Sequence, residues 1–346
     1  MRVKTMMSIA LVASMSLVTV GCSSGSQPTP KPAATNQSTV MQKVIFTAGA
    51  KTVSDWNHYV AQANGLYKKY GVELTSVSTQ TAANALQLLV TGNANIGRGL
   101  APTIQIVNGS KGAIKLIDVG DSIIRPPFTV NAKTAKTWED MVGKKLGVSS
   151  PTDSTAVVAK HALDILGTEG VVLTNSGGTG SRLAALVGGA LDAALLLPPA
   201  NFTAEDEGFN RMSYLPDELG PDWLYAFTST IVEPKWAAAN KDAIKGVLAA
   251  QNEALVWMAD PSNKDAAIEI LAKAIDISPE IAKKTYELLG IATDHSAFAT
   301  EIGIDKGAAN GVLNALKTMG QVPESFSLAD VTDDSYAAEV REEFKK

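Results

Sequence analysis

At 346 residues the chain is long enough for two domains of average size. Its 45% hydrophobic and 19% charged residues are typical of a globular protein with a full core. The net charge of -5 argues against a nucleic-acid partner and against a polybasic membrane patch, because both need clustered cations. The single cysteine, Cys22, excludes a disulfide framework and a cysteine nucleophile in the folded part.

The N-terminus has the features of an export signal. A short basic region precedes an apolar run from Met6 to Val20, which is too short for a comfortable membrane span. The run ends in Gly21-Cys22, which resembles the lipobox of bacterial lipoproteins, although Thr19 stands where leucine is usual. We therefore expect a signal peptide over residues 1–21 and an extracytoplasmic protein anchored to the cell membrane by lipidated Cys22. An ordinary secretory signal with an incidental cysteine is the alternative.

The next segment, residues 22–42, is predicted to be a flexible tether. It consists largely of Ser, Gly, Pro, Thr, Gln and Asn and has no apolar periodicity. Such a composition cannot bury enough apolar surface to offset the entropy of ordering the chain. An anchored protein needs a tether of this kind to reach solution.

From Lys43 onward the pattern alternates between strands and helices. Helices are predicted from Trp56 to Tyr67, over 82–90 and over 102–107, with glycines near all three ends. Strands are predicted between them, over 44–48, 72–77, 96–97 and 115–119.

The pattern restarts at Trp138, with helices over 138–142, 155–166 and 181–187 and strands over 145–148, 171–174 and 193–197. Two successive runs of βαβ units imply two α/β lobes with mainly parallel sheets. From Pro234 onward the chain is almost entirely helical, and we expect this tail to cover a face of one lobe. Its predicted helix starts are Asn240, Ser278 and Asp305.

The sequence lacks several enzyme and metal-site signatures, including a Walker lysine loop and a His-Glu-x-x-His pair. The three histidines, His58, His161 and His295, are far apart, and none has a companion at ligand spacing. We therefore expect no metal site and no cofactor. Glycine-rich residues 176–180 lack a phosphate-loop lysine and are predicted to form a tight connection, and the helix that follows is read as surface and core.

The segment from Ser149 to Thr155 follows a predicted strand and opens a helix. Hydroxyls and free backbone N–H groups at a helix start form a candidate anion cradle. Plain helix capping by Asp153 or Ser154 is the alternative, and the Asp153 carboxylate would weaken anion binding. The candidate donors are Ser150, Thr152, Ser154 and Thr155.

Two other loops occupy comparable positions. Thr79 and Gln80 follow a strand and precede a helix in the first lobe, and Pro198 ends a strand in the second. Ligands of open α/β sheets lie beyond the carboxyl ends of the strands. These loops should therefore face one cleft.

A series of short phrases runs in order through residues 43–320. They include Ala63-Asn64-Gly65-Leu66-Tyr67, Leu89-Val90-Thr91-Gly92, Trp138-Glu139-Asp140-Met141, Arg182-Leu183-Ala184-Ala185-Leu186, Pro198-Pro199 and Asp260-Pro261-Ser262-Asn263. The series resembles the SsuA/TauA-type solute-binding proteins of ABC importers. That group also includes binders of nitrate and of the thiamine pyrimidine precursor.

The resemblance implies a periplasmic-binding-protein-like type II fold, in which a ligand cleft separates two α/β lobes. The crossings would lie near Phe128 and Phe227, so that residues 43–129 and 230–346 form one lobe and 130–229 the other. Family ligand positions add Lys51, Asp55 and Arg98 to the residues named above. Arg98 departs from the small residue usual there, and it is either a ligand cation or directed outward.

The implied function is that of an extracytoplasmic solute-binding subunit and not of an enzyme. Such a subunit would capture a small organic anion, sulfonate-like or carboxylate-like, by hinge closure. It would deliver this anion to ABC permease subunits. We expect the chain to be a monomer. A pyrimidine or thiamine-precursor binder and an extracellular sensor without transport are alternatives. An enzyme like the fungal pyrimidine synthases would need active-site His and Cys residues that are missing here.

Overall fold

A computed structural model describes residues 41–48, 51–79, 82–100, 106–107, 109, 111–120, 127–150, 153–220, 223–291, 293 and 297–345. The predicted signal peptide, Cys22 and nearly all of the predicted tether lie outside these residues. So do Gln80, Thr152, His295 and most of the predicted helix over 102–107.

The strands follow the predicted order closely, with three additions. In chain order they are β1 (Gln42–Ala48), β2 (Val72–Ser78), β3 (Ile96–Leu100), β4 (Lys115–Val119), β5 (Thr129–Ala132), β6 (Lys145–Val148), β7 (Val172–Asn175), β8 (Ala193–Leu196), β9 (Asn210–Tyr214) and β10 (Thr228–Val232). The additions are β5, β9 and β10.

The helices lie between these strands and dominate the C-terminal part. They are α1 (Trp56–Ala63), α2 (Leu66–Lys69), α3 (Ala82–Val90), α4 (Ser154–Leu166), α5 (Thr179–Val187), α6 (Ala200–Asp206), α7 (Leu215–Leu219), α8 (Pro234–Ala239), α9 (Lys241–Ala259), α10 (Lys264–Ile275), α11 (Pro279–Leu288), α12 (Lys306–Thr318) and α13 (Ser335–Phe344). Single 3-10 turns lie at Val53–Asp55, Glu139–Met141, Pro261–Asn263 and Leu328–Asp330. None of the helices that the structure describes is both long and apolar enough to cross a membrane.

The strands form two five-stranded sheets, in the orders β2-β1-β3-β10-β4 and β7-β6-β8-β5-β9. The sequence predicts mainly parallel sheets, but both are mixed. In the first sheet β10 lies antiparallel between β3 and β4, and in the second β5 pairs antiparallel with both β8 and β9. The prediction missed these pairings because it missed the strands that make them.

Two predicted helices differ from those observed. The helix from Trp56 to Tyr67 is interrupted because Gly65 adopts a left-handed conformation with φ 67°, which ends α1 before α2 resumes. The helix over 138–142 is only the 3-10 turn Glu139–Met141.

Side chains cap two of the predicted helix starts. The Ser278 hydroxyl accepts the backbone N–H of Ile281 at 3.2 Å, and the Asp305 carboxylate accepts that of Ala308 at 2.8 Å. Asn240 stands at the third start, but its side chain donates to the carbonyl of Trp236.

Two core clusters hold the sheets and helices together. In the first, α1 packs against α9 and α10, and the indole of Trp56 donates to the Ala267 carbonyl at 3.0 Å. The second joins Leu116 of the first sheet to Leu146 of the second and to Val312 of α12. The sequence predicts that the helical tail covers a face of one lobe, and the tail contributes residues to both of these clusters.

Candidate functional site

The two crossings between the sheets join their carboxyl edges. The first leaves β4 at Val119 and enters the second sheet at Thr129, which pairs with Leu196 at the carboxyl end of β8. The second enters β10 at Thr228, opposite Leu100 at the carboxyl end of β3. The carboxyl ends of the strands therefore meet across the crossings, at the edge where open α/β sheets bind ligands.

The crossings also touch each other. Phe128 and Phe227 immediately precede β5 and β10, and their rings pack edge-to-face with centroids 5.4 Å apart. Both rings are buried in the second core cluster. This contact sets the spacing between the two crossings. The candidate ligand residues of each sheet lie on its own side of them.

A buried ion pair, Arg98 with Asp55, lies at the edge of the first sheet. Arg98 is 1% exposed, and its Nε donates to Oδ1 of Asp55 at 2.8 Å. Its Nη2 donates to Oδ1 of Asn57 at 3.1 Å and to the Ser54 carbonyl at 3.3 Å. The guanidinium thus ties β3 to the 3-10 turn Val53–Asp55 and to the first turn of α1.

This pair changes the interpretation of both residues. The sequence predicts that Arg98 is a ligand cation or points outward, but the side chain is buried with a carboxylate beside it. Asp55 is 5% exposed and holds that cation. Because the two charges offset each other, the pair contributes shape and rigidity to the edge more than net charge.

Thr79 continues the pairing of β1 with β2. Its backbone N–H donates to the Ala48 carbonyl at 2.8 Å, and its hydroxyl donates to the same oxygen at 3.0 Å. Thr79 is partly exposed at the carboxyl end of β2. Its hydroxyl can still accept a hydrogen bond from a ligand through its oxygen.

Lys51 is exposed just after β1 and lines a cavity of about 620 Å³. Asp55, Ser78 and Lys273 line the same cavity, which is bounded by β2, α1 and α10. Lys273 is engaged by Glu269 at 2.6 Å. Lys51 and Lys273 are both exposed, and of the two only Lys273 forms an ion pair within the described part of the chain.

The start of α4 is capped by a carboxylate. Asp153 accepts the backbone N–H of Thr155 at 3.0 Å and that of Ala156 at 3.5 Å, and it accepts the Thr155 hydroxyl as well. These N–H groups are the donors that the predicted anion cradle requires. Of the two residues named in the capping alternative, Asp153 is the one that caps α4.

Thr155 and Ser149 also bond to each other. The Ser149 backbone N–H donates to the Thr155 hydroxyl at 2.8 Å, and Nη1 of Arg182 donates to the Ser149 hydroxyl at 2.8 Å. Thr155 is 4% exposed. The part of Thr155 at this edge is to hold the loop. Ser149 and Ser150 are both partly exposed, and Ser149 is bonded to Arg182.

Arg182 is a buried cation that the sequence interpretation missed. It is 1% exposed and donates to the carbonyls of Leu195 and Gly177, both at 2.6 Å, and to the hydroxyl of Thr179 at 3.0 Å. Among the described residues no carboxylate lies within ion-pair distance of it. Burial lowers the pKa of Arg182 to about 10, and the charge of Asp153 opposes that shift. The guanidinium therefore stays protonated at neutral pH.

Two orphan hydroxyls lie beside α4. Ser154 and Tyr225 are 2% and 1% exposed, and neither hydroxyl has a hydrogen-bond partner in the described part of the chain. Burial raises the pKa of Tyr225, and the nearby Ser154 hydroxyl opposes the rise, so the two groups lie close without forming a well-aligned bond. Pro198 is buried at the end of β8 and joins Pro199 through a cis peptide bond.

The described histidines are engaged in packing. The His58 ring stacks on Phe46, and its Nδ1 lies 2.6 Å from the Tyr67 hydroxyl. Burial, assisted by the charge of Arg98, lowers the pKa of His58 to about 3. His161 stacks on Trp223. Within the described ranges no three His, Cys, Asp or Glu side chains converge as metal ligands would.

Solved structures share this architecture. The periplasmic aliphatic sulphonate binding protein SsuA from Escherichia coli matches with a TM-score of 0.65 and 18% identity, over 84% of this chain and 91% of that one. The periplasmic nitrate-binding protein NrtA from Synechocystis PCC 6803 matches with a TM-score of 0.70 and 13% identity, over 88% and 89%. The desulfurization enzyme DSZB matches with a TM-score of 0.64 and 13% identity, over 87% and 99%.

These likenesses confirm the predicted fold of two α/β sheets seen in periplasmic binding proteins. No curated protein sequence matches the chain. A family model does match: the one described as NMT1/THI5 like covers residues 56–264, more than half of the 346 residues. The chain belongs to the NMT1/THI5-like family.

Proposed function

We propose that this chain is the extracytoplasmic solute-binding subunit of an ABC importer and that its solute is a small anion. The observation that carries the proposal is the pair of carboxyl edges joined by two crossings, which provides one binding face on each sheet. The structural likenesses support it, since two of them are named as sulphonate-binding and nitrate-binding proteins.

The charges at the two edges favour an anion. On the first sheet Lys51 is exposed, while Arg98 and Asp55 offset each other. On the second sheet Arg182 is buried, and no carboxylate of the described residues lies within ion-pair distance of it, although the charge of Asp153 acts on it from further away. A cation in a poorly hydrated edge attracts an anion more strongly than it would in water.

We propose that the ligand is contacted directly by Lys51, Thr79, Ser150, Ser154 and Pro198, together with Gln80 and Thr152, which lie outside the described residues. Asp55, Arg98 and Thr155 hold the edges in place. This division follows from burial and bonding together. Asp55, Arg98 and Thr155 are both buried and bonded within the protein, whereas Thr79 is bonded to Ala48 but partly exposed.

A thermal-shift series tests the proposed solute class. Ethanesulfonate, nitrate and benzoate would each be compared with a neutral isostere, such as ethyl methyl sulfone for ethanesulfonate, in constant chloride. A ligand that binds only the folded state stabilises it by about 2.7 kcal/mol at a hundred times its Kd. If no anion raises the melting temperature above its neutral isostere, the proposed anion specificity is wrong.

Two lysine variants test whether Lys51 contacts the ligand. Lys51→Ala should weaken binding of the active anion about tenfold, the size of one lost charge-assisted hydrogen bond. Lys283→Ala, an exposed lysine on α11, removes the same charge elsewhere and should leave affinity unchanged. Equal losses in both variants would indicate a general charge effect and not a contact at Lys51.

We propose that the chain has no catalytic turnover. The fold alone does not decide this point, because the desulfurization enzyme shares it. The engaged state of His58 and His161 supports the proposal. Nuclear magnetic resonance of the active anion after long incubation checks it, and any product above one equivalent would overturn it.

We also propose the lipid anchor at Cys22, on the basis of the apolar run that ends in Gly21-Cys22. Intact mass of the membrane-extracted protein should show a mature chain that begins at this cysteine and carries a diacylglyceryl group. A chain that begins elsewhere, or one without the lipid mass, would show an ordinary secretory signal.

A further inference from the structure

A second cavity, of about 560 Å³, lies between α4 and α12. Its floor is the segment Trp223–Tyr225, which precedes the second crossing. Tyr225 lines this cavity, and its hydroxyl lies beside Ser154 at the start of α4. The cavity is therefore next to the proposed solute site. Its volume is in the usual range for small-molecule sites.

Aromatic rings form one wall of the cavity. Trp223 stacks on Tyr225 with centroids 5.3 Å apart and an interplanar angle of 7°, and on His161 at 5.6 Å and 24°. Trp223 and His161 are only partly buried. The stack plays no part in the proposed solute binding, and its two partly buried members offer aromatic surface to the cavity.

Carboxamides form the opposite wall. Asn310 and Asn314 are exposed one helical turn apart on α12, and both line the cavity. Each carries a hydrogen-bond donor and an acceptor. Between them stands Gly311, where an added Cβ would collide with the Leu224 carbonyl oxygen. The glycine lets the floor segment approach α12 closely, which brings the carboxamides and the rings to one narrow space.

The charges at this cavity do not select for an anion. Lys160 and Asp164, one of each sign, lie one turn apart on the α4 wall. Their fields oppose each other at the opening. This differs from the proposed solute site, where cations prevail.

We propose that this cavity binds a small, uncharged, planar heteroaromatic molecule. Its ring packs against the partly exposed side chains of Trp223 and His161, and its edge bonds to the carboxamides of Asn310 and Asn314. The proposal does not depend on the identity of the transported solute, because the two sites differ in lining and in charge preference.

The test uses the full chain with nicotinamide, adenine and uracil as probes, followed by saturation-transfer nuclear magnetic resonance and titration calorimetry. Cyclohexanecarboxamide is the matched probe, since it keeps a carboxamide but has no planar ring. At least one heteroaromatic probe should bind, and the saturated probe should not. Ethanesulfonate should fail to displace the bound probe.

Variants locate the binding. Trp223→Leu removes the stacking surface and should weaken binding about tenfold or more, the scale of one base–aromatic stack. Trp257→Leu is the matched control, because Trp257 is a partly buried tryptophan on α9 that does not line the cavity. The double variant Asn310→Ala/Asn314→Ala, at exposed helix positions, should weaken binding to a similar extent and keeps the test sharp if Trp223→Leu fails to fold.

Three results would overturn the proposal. The first is that none of the heteroaromatic probes binds at millimolar concentration. The second is that cyclohexanecarboxamide binds as well as they do, which would show that planarity is irrelevant. The third is unchanged probe affinity in the Asn310→Ala/Asn314→Ala protein, which would show that the probe binds outside this cavity.

Discussion

Replacing Arg98 by methionine tests whether the buried pair holds the edge of the first sheet. The Arg98 side chain is fully buried and that of Asp55 is 8% exposed, so the variant leaves a carboxylate with little access to water. The Ser54 carbonyl and the Asn57 amide oxygen lose their donor as well. Breaking one side of a buried ion pair costs about 3–5 kcal/mol, and we expect Arg98→Met to fall in this range.

Urea unfolding followed by tryptophan fluorescence measures the loss. With a slope of about 1–3 kcal/mol per molar urea, a loss of about 3–5 kcal/mol should lower the midpoint by roughly 1–5 M, and the slope should stay constant. Arg211→Met is the matched control, because Arg211 makes a similar pair with Glu205 at 2.7 Å but with 34% and 30% side-chain exposure. That exposed pair should be worth less than about 1 kcal/mol.

The double variant Arg98→Met/Asp55→Leu separates the charge effect from lost packing. If the penalty comes from an unpaired carboxylate, removing that carboxylate should restore at least half of the lost stability. A double variant as unstable as Arg98→Met, or a single variant within about 1 kcal/mol of the parent, would refute the electrostatic reasoning.

Three further predictions concern stability. The pKa of His58 is about 3 in the folded protein and near its ordinary 6.5 in the unfolded chain. The folded state therefore loses stability as the pH falls from about 6.5 toward 3, by up to about 1.4 kcal/mol per pH unit. His58→Phe should flatten the pH dependence of the urea midpoint over that window, and an unchanged pH dependence would contradict the buried neutral ring. Gly311→Ala should lower the stability of the folded protein by about 1–3 kcal/mol, because the added methyl group clashes with the Leu224 carbonyl. Gly180→Ala, whose methyl group meets nothing within 4 Å, should be neutral or stabilising, and equal effects of the two variants in thermal melts would argue against close packing at Gly311. Asp153→Ala should cost about 0.5–2 kcal/mol as a lost cap of α4, and a wild-type melting temperature would show that the cap is dispensable.

Local sequence signals predicted the regular elements well where a pattern and a stop coincide. Gly167 ends α4 in a left-handed conformation with φ 63°, and α3 spans the predicted residues 82–90. The strands that were missed lack such a pattern. In β10, Thr228, Ser229 and Thr230 are at most 1% exposed, so a strand rich in hydroxyls is buried inside the sheet. Hydrophobic periodicity does not detect a buried strand of this composition.

The same limit applies to Arg182. Its sequence neighbours suggest an ordinary amphipathic helix, yet it lies one turn before Leu186, which is fully buried, on the inward face of α5. That spacing was the available signal that the arginine points inward. What the spacing does not reveal is its set of partners, since Leu195 and Ser149 come from other strands and loops.

The number of polar residues in a loop does not show how many of them are free to bind a ligand. In the described part of the segment from Ser149 to Thr155, several polar groups are already bonded within the protein. Asp153 and Thr155 satisfy each other, and Ser149 is bonded by an arginine that lies 33 residues further along the chain. Arg98 and Asp55, 43 residues apart, show the same effect. Each side chain contributes to binding only what its tertiary partners leave unused, and those partners are set by the fold rather than by the neighbouring sequence.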